Sequence, residues 1–391
     1  MFLSRTESTV TNHYKATYDS NKSDITLTKL RSSLVQMSKV DSRGRLRNCR
    51  IHDLLREVLV KKMESSFCHV VDGNESIVKG EIVTRRLSIV NNSCTTILQD
   101  ADQVSQVRII LNFNIDQSPT LLNYIFNPAR MKGIKLKEGF GSLKTLEKLY
   151  DLDVNEMGVE VIEELGKLMQ LRRLRINNFR SEYGRILGGC IEKMNHLESL
   201  DVNATSEDDV IDLESMSSPP QFLQRLYLSG RLMKLPEWIK KLQNLTAIFF
   251  NWSKLEDDSI QNLKNLPNLL VFWIQRDAYV GDELQFEKGM FTKLKELDLT
   301  YLSGLERVEI EEGSLVNLES LEIGPSPQLK EVPSGIQHLK NLQYLCFYDT
   351  SMKFMKSMLP GGQHYKIVQH VPRVRISYTR DGGKYETFRL F

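Results

Sequence analysis

Residues 165–176 read LGKLMQLRRLRI, and residues 315–323 read LVNLESLEI. Both stretches follow the pattern L-x-x-L-x-x-L-x-L, in which isoleucine takes the last position. Between residues 143 and 347 the first apolar residue of the final L-x-L recurs at spacings of 22–26 residues. The nine positions are Leu149, Leu174, Leu200, Leu226, Ile248, Phe272, Leu297, Leu321 and Leu345. A pattern that holds its phase over this distance predicts tandem leucine-rich repeats.

The composition of one repeat explains why the repeats must stack. The L-x-L part predicts a short strand whose alternate side chains point inward. One repeat offers about five large apolar side chains, worth roughly 7–15 kcal/mol if fully buried. Ordering about 24 residues costs more, at roughly 1–2 kcal/mol of backbone entropy per residue. The predicted fold class is therefore an α/β solenoid with a curved parallel sheet on its concave side.

The rest of the sequence is arranged around this array. Residues 27–64 predict a hairpin with a turn at residues 41–44, followed by an amphipathic helix. A hairpin followed by a short helix is typical of the end of a winged-helix domain. The predicted segments are a disordered or loose lead-in (1–26), a winged-helix remnant (27–64), irregular N-terminal repeats (65–142), regular repeats (143–347) and a C-terminal cap (348–391).

The two flanks of the array carry further strand signals. Residues 86–89 and 107–111 predict strands that align if Leu87 pairs with Ile110. The next step, from Ile110 to Leu149, is longer and indicates either one irregular turn or the loss of part of a longer array. The leucine period ends after Phe347. Alternating residues 374–378 and 385–389 then predict a hairpin that covers the last repeat.

Composition limits the classes of partner and compartment. The net charge is +2, which gives no overall attraction to nucleic acid. The five cysteines include no C-x-x-C pair, and their odd number favours a reducing compartment. The N-terminus lacks the apolar run of a signal peptide, and no apolar stretch is long enough for a transmembrane helix. We therefore expect a cytoplasmic protein.

Catalytic motifs are missing from the sequence. It contains no G-x-S-x-G, no H-E-x-x-H and no paired-histidine spacing that would suit a metal. His364 and His370 lack ligand partners in the sequence and are interpreted as structural. We therefore expect a binding protein with no catalytic residues, no metal and no cofactor of its own.

Two sequence runs ahead of the repeats resemble a known family. Residues 34–62 read LVQMSKVDSRGRLRNCRIHDLLREVLVKK, and residues 84–89 read TRRLSI. Together with the repeat array, they resemble the plant intracellular coiled-coil, nucleotide-binding, leucine-rich-repeat disease-resistance receptors. Residues 51–53, Ile-His-Asp, match the methionine-histidine-aspartate motif of that family. The resemblance implies that His52 senses the phosphate of bound ADP.

The sequence also departs from the family pattern. It contains no G-x-x-x-x-G-K-[ST] loop, so the phosphate cradle and the lysine of the family's nucleotide site are absent. Asp53 suits a helix start, where the dipole favours a negative charge, and His52 then lies at the edge of the domain. The chain is interpreted as the C-terminal portion of a receptor or a truncated product. ADP binding is expected only in a full-length receptor.

The residues between the apolar positions of each L-x-L point away from the leucine core. In order they are Arg175, Asp201, Tyr227, Phe249, Trp273, Asp298, Glu322 and Cys346. Asn203, Ser229, Asn251 and Gln275 lie beside them. Aromatic clusters with polar rims serve as protein-binding hot spots, which favours a recognition stripe. The alternative is that the aromatic rings fill the inner curve and contact one another. The candidate protein-binding residues are Arg175, Tyr227, Phe249, Trp273, Asp298 and Glu322.

These observations favour a protein-recognition module in plant innate immunity. The expected partner is a pathogen effector or a guarded host protein, and the nucleotide-binding domain of a related receptor is a further candidate. An alternative is an ADP/ATP-dependent switch that works with nucleotide-binding domains from another chain. A scaffold for ubiquitin ligases is a weaker option, because residues 1–64 show no F-box-like helical segment.

Overall fold

A computed structural model describes the repeat array almost completely. The described residues are 35–40, 46–51, 69–72, 86–90, 106–113, 133–134, 136, 138–155, 157–264, 266–380 and 384–390. The chain divides into two compact units, residues 1–69 and residues 70–391.

The first unit contains an antiparallel hairpin. Strand β1 (Val35–Val40) pairs with strand β2 (Leu46–Ile51), and Val35 lies opposite Ile51. This pairing confirms the predicted hairpin. The helix predicted after it lies outside the described residues, so the winged-helix remnant stays a prediction.

Among the described residues, 14 strands form one sheet in which neighbours follow the order of the chain. Adjacent strands pair in parallel from the strand Arg86–Val90 to the strand Arg373–Arg380, as stacked repeats require. The strands are β3 (His69–Asp72), β4 (Arg86–Val90), β5 (Ile109–Phe113), β6 (Lys148–Asp153), β7 (Arg173–Phe179), β8 (Ser199–Ala204), β9 (Arg225–Ser229), β10 (Ala247–Asn251), β11 (Val271–Gln275), β13 (Glu296–Thr300), β15 (Ser320–Ile323), β16 (Tyr344–Tyr348), β17 (Arg373–Arg380) and β18 (Lys384–Arg389).

The leucine positions of the sequence pattern form the interior of the solenoid. From Leu149 to Leu345 the nine predicted positions lie directly opposite one another in neighbouring strands. Each of these side chains is at most 2 % exposed. The leucine-rich-repeat solenoid predicted from the sequence is confirmed. Its stability comes mainly from burying this shared apolar column.

Side-chain hydrogen bonds that recur along the repeats also link the turns that precede the strands. In four described L-x-N-L stretches, the asparagine side-chain amide donates a hydrogen bond to a backbone carbonyl of the preceding repeat. These bonds are 2.7–2.9 Å long. They provide hydrogen-bond donors to backbone carbonyls that lie in turns, outside the strands of the sheet. The four asparagines are Asn244, Asn268, Asn317 and Asn341.

At the N-terminal entry to the solenoid, the strands pair as the sequence predicts. Leu87 lies opposite Ile110, as predicted, and Ile110 lies opposite Leu149. Strands β5 and β6 are therefore direct neighbours despite the long segment between them. Residues 114–132 of that segment lie outside the described residues, so one irregular turn and the loss of part of a longer array both stay predictions.

The C-terminal end of the repeat array differs from the prediction. Strands β17 and β18 form the predicted antiparallel hairpin. Strand β17 also pairs in parallel with β16, so that Val374 lies opposite Leu345 and Ile376 opposite Phe347. The repeat array therefore extends one strand beyond Phe347, where the leucine period was expected to end. Valine and isoleucine replace leucine in this last repeat and fill the same buried positions.

A further small sheet, which the sequence pattern did not predict, is formed between residues 283 and 310. Strands β12 (Glu283–Phe286) and β14 (Arg307–Ile310) pair in parallel. Some of the other described segments between strands contain short helices. The α-helices are α1 (Val159–Leu165), α2 (Gly184–Ile191), α3 (Asp257–Gln261), α4 (Met352–Ser357) and α5 (Tyr365–Val368), and the 3-10 helices are Phe140–Ser142, Ser181–Tyr183, Glu237–Lys241 and Ile336–His338.

Candidate functional site

One line of side chains crosses the sheet on the face opposite the leucine core, which we call the concave face. Each strand contributes the residue between its two buried positions, and parallel pairing places these residues in register. The line runs through Arg175, Asp201, Tyr227, Phe249, Trp273, Asp298, Glu322 and Cys346 and continues to Arg375. The structure therefore brings all six candidate recognition residues into one line.

The three aromatic residues in the middle of the line contact one another. The rings of Tyr227 and Phe249 are stacked, with centroids 4.0 Å apart, and Phe249 meets the edge of Trp273 at 4.6 Å. Phe249 is only 7 % exposed, whereas Tyr227 and Trp273 are half-buried. Burial raises the pKa of Tyr227 to about 12, so its hydroxyl stays neutral. Mutual contact of the rings, which the sequence left as an alternative, is therefore present, and two of the rings still reach the surface.

Aliphatic side chains complete an apolar patch around these rings. Ala247 and Val271 are buried against Phe249, and Leu270 is partly buried beside them. This cluster is separate from the leucine core. We refer to Tyr227, Ala247, Phe249, Leu270, Val271 and Trp273 as the apolar patch. The aliphatic members were not predicted from the sequence, although Ala247 and Val271 lie two residues ahead of Phe249 and Trp273, and Leu270 lies three residues ahead of Trp273.

Arg175 lies at the N-terminal end of the line and is held by two carboxylates. Its Nε lies 2.6 Å from Asp201 Oδ2, and its Nη1 lies 3.4 Å from Asp151 Oδ1. Burial raises the pKa of Asp201, while the charge of Arg175 opposes that shift. Asn203 donates a further hydrogen bond of 2.8 Å to Asp201 Oδ1. This end of the line is therefore an internally compensated network.

Asp298 and Glu322 lie on the other side of the apolar patch. Gln275 Nε2 donates a hydrogen bond of 2.8 Å to Asp298 Oδ2, and the Tyr348 hydroxyl donates one to Glu322. Burial and the neighbouring Glu322 charge raise the pKa of Asp298 to about 8, against hydrogen bonds to Gln275 and Thr300. Burial also raises the pKa of Glu322, and its bond to Tyr348 opposes the shift. A cation placed between Asp298 and Glu322 would stabilise the ionised form of both carboxyl groups.

At the C-terminal end of the line, the side chain of Cys346 is not exposed to solvent. Cys346 belongs to the line by register but is fully buried, with its Sγ 3.4 Å from Ser377 Oγ. Burial raises the pKa of this thiol, so it stays protonated. Arg375 covers the ring of Tyr344, with its guanidinium carbon 5.7 Å from the ring centroid.

The polar column beside the line supports the site from within. Asn203, Ser229 and Gln275 are buried. Asn251 donates a bond of 3.3 Å to Ser229, and Gln275 is bonded to Asp298. These side chains fix the orientation of their neighbours, and little of their own surface is available to a partner.

His52 lies outside the described residues, so its predicted role in sensing ADP stays a prediction. Within the described part of the chain, no group of three or more His, Cys, Asp or Glu side chains is placed to hold a metal ion. Among the same residues, none of the helices has the length and apolar character needed to cross a bilayer.

Comparison with known proteins identifies the class of the chain. Residues 129–344 match the family model described as a leucine-rich repeat region, which is more than half of the chain. The chain belongs to this family. A solved internalin from Listeria monocytogenes is 17 % identical, with a TM-score of 0.39, over 67 % of this chain and 80 % of that structure.

Curated relatives then place the chain among plant proteins. It is 29 % identical to the disease resistance protein RPM1 of Arabidopsis thaliana over 61 % of this chain and 26 % of that protein. A putative disease resistance protein, At1g59780, from the same plant is 24 % identical over 89 % of this chain and 46 % of its own length. The predicted relationship to plant disease-resistance receptors is confirmed. The chain spans less than half the length of these two relatives.

Proposed function

We propose that this chain is the protein-recognition module of a plant disease-resistance receptor. It senses a pathogen effector or a guarded host protein in the cytoplasm by direct contact, and it acts by binding rather than by catalysis. The observation that carries this proposal is the apolar patch on the concave face. The relationship to plant disease resistance proteins supplies the biological setting.

The location of the apolar patch supports a binding role. The patch lies in the middle of a sheet whose opposite face already holds the core, so its burial is not needed to close the solenoid. Half-buried Tyr227 and Trp273 offer large ring surfaces that are held in place by Phe249 between them. Aromatic side chains that are rigid before binding lose little conformational entropy when a partner covers them.

The polar surroundings of the patch add to this argument. Charged residues flank the apolar patch on the concave face. Arg225 lies on one side, and Asp298 and Glu322 lie on the other. An apolar centre with a polar rim is the usual arrangement of a protein-binding hot spot. The strands that carry these residues are fixed by the repeat register, so the site is preorganised.

Replacing both Phe249 and Trp273 by alanine is expected to abolish partner capture. Screens of plant and pathogen expression libraries with the wild-type chain define the captured partners, and the double variant is then tested against each. Loss of two central aromatic contacts is expected to weaken binding by about 2–4 kcal/mol, which is at least about thirtyfold. Retention of each partner is measured together with the thermal melt.

A matched control separates loss of the site from loss of exposed apolar surface. Met233 and Met352 are 72 % and 58 % exposed and lie outside the strands of the sheet. The Met233→Ala, Met352→Ala double variant is expected to capture partners as the wild type does. The single variant Trp273→Ala, which leaves Phe249 in place, covers the case in which the first double variant melts early. Partners that bind all variants equally would show that the apolar patch is not the interface.

A further inference from the structure

The concave face carries opposite charges on the two sides of the apolar patch. Trp273, Asp298 and Glu322 follow one another in adjacent strands, so the two carboxylates begin where the apolar patch ends. Asp298 Oδ1 is buried and receives no hydrogen bond within the described residues. The charged groups that most affect the pKa values of these carboxylates are acids themselves, Glu322 for Asp298 and Glu296 for Glu322. The acidic side of the patch therefore favours the binding of a cation.

Arg225 occupies the opposite side of the patch. It lies in register with Ala247 and Val271, two residues before Tyr227 in the same strand. Its Nη2 is buried and finds no hydrogen-bond acceptor in the part of the chain that the structure describes. Burial and the positive charge of Arg173 lower the pKa of Arg225, and the charge of Glu198 partly opposes that shift. An anion at this position would therefore be stabilised by both of these guanidinium groups.

The register fixes the separation of the two charged positions. Arg225 and Asp298 are three strands apart across the sheet and offset by two residues along it. With strands about 4.8 Å apart and residues about 3.3 Å apart, this separation is about 16 Å. An extended chain covers that distance in about five residues. The apolar patch lies between the two positions.

We propose that the concave face binds an extended segment of a partner protein that carries an acidic side chain at Arg225, apolar side chains on the apolar patch and a lysine or arginine at Asp298 and Glu322. This inference rests on the proposed function and specifies the chemistry of the partner. The acidic and basic residues of the segment are about five residues apart. Charge complementarity selects this occupant, because a nucleic acid would place phosphates against Asp298 and Glu322.

A random dodecapeptide library displayed on phage tests this inference with the full chain as bait. We expect the selected peptides to share an acidic and a basic residue about five positions apart, with apolar residues between them. The Asp298→Asn, Glu322→Gln double variant is expected to bind a selected peptide about tenfold more weakly, and Arg225→Gln to do the same. Replacing the basic residue of the peptide by glutamine should remove the difference between wild type and the first variant.

A control with the same chemical change is available on an exposed loop. Glu207 and Asp208 are exposed. The Glu207→Gln, Asp208→Asn double variant changes the net charge equally and is expected to bind the selected peptides as the wild type does. Equal weakening by both double variants would assign the effect to overall charge and overturn the inference.

The pH dependence of peptide affinity gives an independent readout. A cation must meet an ionised Asp298, whose pKa in the free chain is raised to about 8. Glu322, Gln275 and Thr300 act on Asp298, and Glu296 and Tyr348 act on Glu322. Below this pKa, binding has to displace a proton, so affinity should rise by about tenfold from about pH 6.5 to about pH 8.5. The rise should vanish in Asp298→Asn.

The outcomes separate this inference from the proposed function. Peptides that lose binding with Phe249→Ala and Trp273→Ala but ignore the charge variants would overturn the charge assignment and leave concave recognition standing. Peptides that ignore both sets of variants would overturn both. Selection of no peptide above background would also overturn the inference, because a preformed linear site should retain short segments from such a library.

Discussion

Replacing Phe272 by alanine is expected to lower the free energy of unfolding by about 3–5 kcal/mol. Phe272 is fully buried and occupies a leucine position of the repeat. Its ring lies 6.3 Å from that of Phe250 and 5.6 Å from that of Phe291, measured between centroids. Alanine would leave a cavity in the middle of the solenoid, where stacked repeats on both sides limit relaxation. Urea denaturation followed by circular dichroism measures the loss.

Phe222→Ala is the matched control for this substitution. Phe222 is 58 % exposed, so the same change of side chain removes little buried surface. We expect it to change the free energy of unfolding by less than about 0.5 kcal/mol. Equal shifts of the urea midpoint in the two variants would contradict the assignment of Phe272 to the core.

Replacing Gly335 by alanine is the second change with a large expected effect. Gly335 precedes the 3-10 helix Ile336–His338 and has φ of 86°, a left-handed conformation that alanine rarely adopts. A Cβ at this position would also overlap the carbonyl oxygen of Ile310 in the preceding repeat. Strain and the forced backbone shift together are expected to destabilise the chain by about 3 kcal/mol or more.

Gly139→Ala separates the two causes. Gly139 precedes the 3-10 helix Phe140–Ser142 and has φ of 99°, and a Cβ there would meet no atom within 4 Å. This variant carries the conformational strain alone and is expected to cost about 1 kcal/mol. Thermal melts of the two variants under the same conditions measure the difference. A Gly335→Ala melt no lower than that of Gly139→Ala would contradict the close approach to Ile310.

The repeat register could be predicted because it depends on local pattern. Alternation around Leu174 and Leu200 sets which side chains enter the core, and the constant spacing sets which residues become neighbours. The same reasoning predicted that the residues between the apolar positions form one line on the concave face, since register and alternation together fix a column of residues.

The last repeat was missed because its apolar residues are not leucines. Val368, Val371, Val374 and Ile376 follow the same spacing and are at most 1 % exposed. The core requires apolar volume at these positions, which valine and isoleucine also supply. A search for any aliphatic residue at the repeat spacing would have predicted strand β17. The second sheet, β12 with β14, carries a similar alternation of Leu284, Phe286, Val308 and Ile310.

The sequence could not predict which side chains on the concave face are paired with one another and which are buried. Arg175 is paired with Asp201, which lies 26 residues further along the chain, and such pairing depends on rotamers and neighbouring strands. Cys346 is covered although its position faces away from the core. The raised pKa of Asp298 likewise results from burial and from its neighbour Glu322. Pattern predicts position, whereas pairing and burial require the packed structure.

Photo-crosslinking at Trp273 tests the concave interface most directly. Benzoylphenylalanine is placed at Trp273 in one preparation and at exposed Phe222 in another, and each is irradiated with a partner captured by the wild-type chain. The account predicts a covalent adduct from position 273 and none above background from position 222. Adducts from position 222 alone, or equal yields from both positions, would contradict recognition through the concave face.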